Sequence, residues 1–217
     1  MKVSTNVIFR RLFVRYTELS EMQGDIRAAV EALTTAYRHG GKILVCGNGG
    51  SAADSEHIVG ELMKGFLLPR RITGEIAEKL LATYPEEAGQ MLSSLQQAAP
   101  AISLVSQTAL MTAFGNDISS EMIFAQQILG YGQPGDVLLA ISTSGNSANV
   151  LHAARVAHVK GVKVISLTGK TGGKLKVLSD ICICAPTDIT FEIQEYHLPI
   201  YHCLCACVEN ELFGDAQ

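Results

Sequence analysis

The chain predicts an α/β fold, a doubly wound sheet of five parallel strands flanked by helices. Three observations carry this. Short apolar runs alternate with stretches of helical periodicity, at Ile43 to Cys46, from Ala101 (A-I-S-L-V), at Asp136 to Ile141, Lys163 to Thr168 and Ile181 to Ala185. Runs of this kind make strands buried on both faces and joined by right-handed helical crossovers. The first and third runs end in glycine- or serine-rich turns that lead straight into helices. Composition agrees: 217 residues, 47% hydrophobic and 18% charged, suit one domain, residues 1–217, with a sizeable core.

Bulk properties exclude several classes. A net charge of −4 gives no general attraction to nucleic acid. No apolar run approaches the ~20 residues that cross a bilayer, so no membrane partner is expected. The start, M-K-V-S-T-N-V-I-F-R-R, lacks a signal peptide's apolar stretch and cleavage site, and the expected compartment is the cytoplasm. None of the six cysteines has C-x-x-C spacing. Cys182 and Cys184 fall on a strand and Cys203, Cys205 and Cys207 on a helix, where they are expected to be reduced, small, buried hydrophobes.

Taken in order, residues 4 to 20 have the periodicity of an amphipathic helix (Val7, Ile8, Leu12, Phe13, Tyr16, Leu19). A second helix, from about Gln23 to Arg38, stops at Gly40-Gly41. These two extra N-terminal helices offer apolar faces, Leu12 and Phe13 among them, for oligomerisation. After the first strand a helix should run from about Ala52 to Lys64. A helical insertion follows over residues 72–99, two short helices broken at Tyr84-Pro85, suited to a lid, an interface arm or plain surface packing. A helical turn near Thr108 to Phe114, the turn Gly115-Asn116-Asp117 and a helix from Ile118 to Tyr131 lead to the third strand. Ser147 is placed as N-cap of a helix through about Lys160. A short helix after G-K-T-G-G precedes the fifth strand, and a long helix from about Thr190 to Leu212 closes the chain.

The turn after the first strand is the chemically informative stretch. Gly47, Asn48, Gly49 and Gly50 can reach positive φ and let backbone amides approach a ligand. Ser51 is a good N-cap, with Asp54 completing a capping box. Strand, glycine turn and helix N-terminus together make an anion site. His57 and Glu61, four apart, share one face of that helix. Taken alone, the same residues also fit a turn required only for packing and an exposed ion pair. The third strand runs into S-T-S-G-N-S-A, where Ser142, Thr143, Ser144 and Ser147 add hydroxyl donors without any cation. In such sheets ligands bind beyond the carboxyl ends of the strands, so both turns face one pocket suited to a phosphate monoester on a neutral polyol. Neither G-K-[ST] nor G-x-G-x-x-G follows the first strand, which disfavours a nucleotide.

The blocks C-G-N-G-G-S-A-A-D-S-E-H-I-V-G-E-L, A-F-G-N-D, L-L-A-I-S-T-S-G-N-S-A-N-V, V-I-S-L-T-G-K-T-G-G-K-L and I-Q-E-Y-H-L-P-I-Y-H closely resemble the sugar isomerase (SIS) domain and, within it, the phosphoheptose isomerases. The resemblance covers nearly the whole chain outside Ile72 to Ala99. It implies conversion of sedoheptulose 7-phosphate to D-glycero-D-manno-heptose 7-phosphate through a metal-assisted enediol(ate), feeding nucleotide-activated heptose synthesis. It also implies one Zn2+ per subunit on His57, Glu61, Gln194 and His202, a set in which Gln194 and His202 lie eight apart on one face of the last helix. Glu61 is then the candidate base and His202 its acid/base partner. Asn48, Gly49, Gly50, Ser51, Asp117, Ser142, Thr143, Ser144, Ser147 and Gln194 are candidate substrate contacts. A homotetramer with sites near subunit boundaries is implied as well. His197, three after Gln194, is expected in the core or supporting a ligand.

Three features depart from the family's pattern: Glu192 where a basic residue is common, Pro199 inside the last helix with an expected kink, and the length of the 72–99 insertion. Two other readings stand beside the isomerase. One is a non-catalytic SIS adaptor of the type that binds the initiator DnaA, which lacks the carboxylate at the position of Glu61. The other is a sugar-phosphate sensor without turnover.

Overall fold

The computed structural model describes residues 1–214. Its centre is a sheet of five parallel strands, β1 (Ile43–Cys46), β2 (Ala101–Ser103), β3 (Val137–Ser142), β4 (Lys163–Thr168) and β5 (Ile181–Cys184), in the order β2-β1-β3-β4-β5. Register aligns Ile43 with Ala101 and Val137, Val137 with Lys163, and Ile165 with Ile181. The order reverses between β1 and β3, which makes their carboxyl ends the topological switch point where such sheets bind ligands.

Alternation along the strands divides the core in two. Ile43, Val45, Val137, Leu139, Ile141, Ile165, Leu167 and Ile183 face one way, packing with α1 (Val3–Arg15), α2 (Gln23–Arg38), α3 (Gly50–Met63) and α9 (Thr190–Phe213). Leu44, Cys46, Leu138, Ala140 and Val164 face the other, beneath α7 (Ile123–Tyr131) and α8 (Ala148–Val159). Both faces are covered, which is why the strand sequences are apolar throughout.

Several boundaries differ from the sequence expectations. The first helix stops at Arg15, and Thr17–Met22 continue as a tighter 3-10 helix. Leu12, Tyr16 and Leu19 repeat at four and three residues in either form, so periodicity does not separate them. Leu12 is buried in the core and Phe13 packs against it; the apolar side chains α1 leaves exposed are Val3, Val7 and Val14. Helix α3 starts two residues early, with Gly49 as N-cap at φ +57° and no side-chain cap, so Ser51 and Asp54 form no capping box. Gly115-Asn116-Asp117 does not interrupt the helical path: after α6 (Thr108–Phe114), Gly115–Ser119 form a π-turn. Ser119 is extended instead, its hydroxyl accepting from the Glu121 N–H at 3.3 Å, and that local competition delays α7 to Ile123.

The insertion holds α4 (Glu75–Thr83) and α5 (Ala88–Ser94), separated at Tyr84-Pro85. Its ends are tied by a bridge between Arg71 and Gln96 and by the Gln97 N–H donating to the Arg70 carbonyl at 2.7 Å. No residue of α4 is buried, and Ile76, Leu81, Tyr84 and Leu95 are each half exposed or more. Helix α9 runs unbroken through Pro199. Glu192, in its first turn, accepts from the Thr187 hydroxyl at 2.7 Å, a local role that suits an acid near a helix N-terminus. All six cysteines are free; Cys46, Cys203, Cys205 and Cys207 are buried, whereas Cys182 and Cys184 are half-buried with their sulfurs 3.6 Å apart. Among the described residues no helix is long and apolar enough to cross a membrane.

Candidate active site

Helices α3 and α9 lie side by side and parallel, and this pairing assembles the candidate residues. Gly50 at the start of α3 meets Gln194, whose amide nitrogen is 2.5 Å from where a Gly50 Cβ would be. Two turns on, His57 meets Tyr201 and His202, its ring 5.4 and 5.0 Å from theirs. Just past α3, Phe66, Leu67 and Leu68 meet Glu209. A glycine is required where the amide packs on the helix start.

His57 is the hub. Its Nε2 lies 3.3 Å from Glu61 Oε1 and 3.4 Å from His202 Nε2, and its Nδ1 is 3.0 Å from the Tyr201 hydroxyl. Glu61 Oε2 faces Lys64 Nζ at 3.4 Å, so its two oxygens have different neighbours. Burial, then the His57 charge, hold the His202 imidazole below its ordinary value, with Glu61 opposing. His202 is therefore neutral at pH 7 and able to take up or release a proton. Burial raises the Asp54 carboxyl, against the pull of Tyr201 and His57, and raises the Tyr201 hydroxyl further from ionisation.

The donor set can be tested against a metal. An ion with tetrahedral bonds of about 2.0–2.1 Å holds its ligand atoms about 3.3 Å apart. The Glu61–His57 and His57–His202 separations match that edge, and a His57 Nδ1–H donating to Tyr201 leaves the Nε2 lone pair for the ion. The contacts run Glu61–His57–His202 as a chain; among the described residues no group of three His, Cys, Asp or Glu side chains closes into a cage. Gln194 lies at the glycine turn. His197 is fully buried, its Nε2–H donating to the Thr168 carbonyl at 3.2 Å, and burial lowers it to about 4, which makes it a neutral core residue.

The two turns meet at the switch point. Asn48 and Ser147 line one open hollow of about 440 Å³ with Ser120, Glu121 and Asn149. Ser142 Oγ is 3.0 Å from Ser147 Oγ, and Ser147 occupies the N-cap of α8 without capping it by its side chain. The Ser144 hydroxyl accepts from the Asn146 N–H at 3.2 Å, while Thr143 is half-buried. Gly145, at φ +63°, sits in direct backbone contact with Gly172 and Gly173, where no Cβ fits. Ser51 is 3% exposed, and its N–H and that of Ala52 already bond the Asn48 and Gly49 carbonyls at 3.0 Å. Asp117 is exposed in the π-turn, accepting from the Asn116 amide at 3.0 Å. His202 lines a different hollow, about 460 Å³, with Arg11, Arg15, Tyr16 and Phe66. Within one chain His202 on the one hand and Asn48 and Ser147 on the other thus line different hollows.

Sequence reasoning missed three contributors. Asn149 holds Asn48, and its position inside S-T-S-G-N-S-A-N-V was a usable signal. Tyr201, 1% exposed, orients His57. The buried pair Arg70–Glu209 had no local signal at all.

Comparisons with known proteins agree with this fold. The family model described as SIS domain matches residues 10–80 and 82–169. A phosphoheptose isomerase of Akkermansia muciniphila is 37% identical over 199 residues, covering 92% of each chain. One from Dechloromonas aromatica is 42% identical over 196 residues, covering 89% of this chain and 87% of that one. Among solved structures, the phosphoheptose isomerase GmhA of Neisseria gonorrhoeae superposes with a TM-score of 0.73 at 32% identity, covering 93% of this chain and 95% of its own. A phosphoheptose isomerase of Francisella tularensis gives 0.74, also at 32%, covering 94% and 96%.

Proposed function

Since the chain belongs to the SIS domain family and, within it, to the phosphoheptose isomerases, we propose that Glu61 and His202 carry its isomerisation of sedoheptulose 7-phosphate. The protein is an enzyme, an aldose–ketose isomerase acting on a phosphorylated seven-carbon sugar to form D-glycero-D-manno-heptose 7-phosphate. The single observation that supports the site assignment is the run Glu61–His57–His202, with neighbouring polar atoms 3.3 and 3.4 Å apart.

The reaction moves one proton between adjacent carbons and one between their oxygens. Glu61 takes the C1 proton of the ketose, giving an enediol(ate), and returns it to C2. His202, neutral at pH 7, passes a proton from the C1 hydroxyl toward the C2 oxygen, so that the carbonyl moves to C1. Tyr201 fixes the ring of His57. At the other end Ser142, Thr143, Ser144 and Ser147, with Asn48, Gly49, Gly50 and Ser51, hold the phosphate, and Asp117 and Gln194 take sugar hydroxyls. One Zn2+ per subunit, held by His57, Glu61, Gln194 and His202, would polarise the sugar carbonyl and stabilise the charge that develops on its oxygen.

We place the enzyme in a homotetramer. Two separate cavities in one chain, and the exposed Val7, Val14, Ile76 and Leu81, favour sites completed by a second subunit. A phosphorylated sugar does not cross a bilayer unaided, which favours the cytoplasm as the working compartment.

Metal analysis of the purified protein tests the ligand set. The expected content is one zinc per subunit, lost together with turnover in His57→Ala and in His202→Ala. Full turnover by a protein freed of metal by chelation would overturn the zinc assignment.

A further inference from the structure

Arg70 is the one non-glycine residue at positive φ among the described residues, at +33°, and it is 3% exposed. Backbone of that kind persists only where its surroundings over-determine it. Here each guanidinium nitrogen makes a hydrogen bond. The Nε–H donates to Glu209 Oε1 at 2.6 Å, Nη1 to the Leu62 carbonyl at 2.6 Å and Nη2 to the Glu61 carbonyl at 3.1 Å. Those carbonyls belong to the last turn of α3 and have no partner within the helix. A cation there also suits the negative end of the helix dipole.

Glu209 is 1% exposed and is satisfied from three further directions. It accepts from the N–H groups of Phe66 at 2.8 Å, Leu67 at 2.7 Å and Leu68 at 3.2 Å. The same segment sets the Phe66 ring 5.6 Å from that of His202, and Glu209 shares α9 with His202 two turns away. One buried ion pair therefore clamps the end of α3 that carries Glu61 to the helix and loop that hold His202.

We infer that Arg70 and Glu209 are positioning residues that set the distance between Glu61 and His202 across the α3–α9 seam. This rests on the isomerase reading above. Neither side chain is exposed to substrate, so the pair acts through the backbone of Glu61 and the ring of Phe66. Loosening it should leave phosphate binding at the distant turns intact and misplace the groups that move protons.

The test is steady-state kinetics and amide hydrogen exchange on Arg70→Met/Glu209→Leu, which replaces both charges with apolar groups and leaves neither unpaired. The exchange avoids the unpaired buried charge that removing one partner would leave, while the N–H groups of Phe66, Leu67 and Leu68 and the Glu61 and Leu62 carbonyls lose these bonds. The expected result is a kcat at least tenfold lower with KM within about twofold of the parent, and faster exchange at residues 61–70. If the double variant does not fold, Arg70→Lys decides, because lysine keeps the charge and cannot bond Glu209 and two carbonyls in one plane. It should lower kcat severalfold at unchanged KM. A parental kcat in the folded double variant, or in Arg70→Lys where the double variant fails, overturns the inference; so does a loss confined to KM. A parent enzyme inactive on sedoheptulose 7-phosphate would instead overturn the reaction assignment, while the hydrogen-exchange change would still report the clamp.

Discussion

The side-chain amides of Asn48 and Asn149 exchange two hydrogen bonds, of 2.8 and 2.9 Å, and so join the turn after β1 to the first turn of α8. Because β1 and β3 are neighbours at the switch point, this pair sets how far apart the glycine-rich and hydroxyl-rich turns stand. Asn149→Ala should raise KM for the sugar phosphate about tenfold and leave kcat nearly unchanged, since about 1–1.5 kcal/mol of preorganisation is lost far from the reacting carbons. A drop confined to kcat would place the pair at the reacting end.

Thr143 tests the phosphate end directly. Thr143→Val keeps the shape and removes a donor, so kcat/KM should fall by about 1.5–3 kcal/mol, mainly through KM. A non-phosphorylated heptulose should be a poor substrate for the parent and lose little more in the variant. A lower kcat at unchanged KM would reverse the orientation of the sugar.

His197 predicts a pH dependence of stability. Its folded value is lowered to about 4 from 6.5, so the unfolded chain binds the proton more readily. Stability from the neutral buried ring is complete above pH 6.5 and is lost as pH falls toward 4, by up to about 1.4 kcal/mol per pH unit. In urea unfolding, His197→Gln should be less stable than the parent at pH 7.5, with the gap narrowing by about 1–2 kcal/mol at pH 5. A gap independent of pH would mean that His197 holds its proton equally well in the folded and unfolded chain.

The oligomer is open to a size measurement. Light scattering at micromolar concentration should give about 93 kDa, four times the 23.2 kDa chain. Ile76→Lys/Leu81→Lys should shift it toward smaller species and lower activity together. A monomeric parent with full activity would show that one chain suffices.

The sheet was legible because each strand is a short apolar run between turn residues, and all five appear where those runs stand. The His57–Glu61 pair was legible from helical spacing, and its approach to His202 from the family resemblance. Helix starts were less so. Gly49, at positive φ, starts α3 with no side-chain cap, and the Ser119 hydroxyl bonds the Glu121 N–H and so delays α7. The Arg70–Glu209 clamp was invisible, since its partners lie 139 residues apart and charged residues in sequence look like solvated ones. That His202 lines a different hollow from Asn48 and Ser147 was also hidden, because it depends on how α1 and α9 pack around His202.

The central claim is that Glu61 moves the carbon-bound proton of sedoheptulose 7-phosphate, and proton NMR of that sugar during incubation with enzyme tests it most directly. The parent should build up the anomeric signals of an aldose heptose 7-phosphate, and Glu61→Gln, folded to the same melting temperature within a few degrees, should form them at least about a hundredfold more slowly. Aldose formation by Glu61→Gln at the parental rate would contradict it.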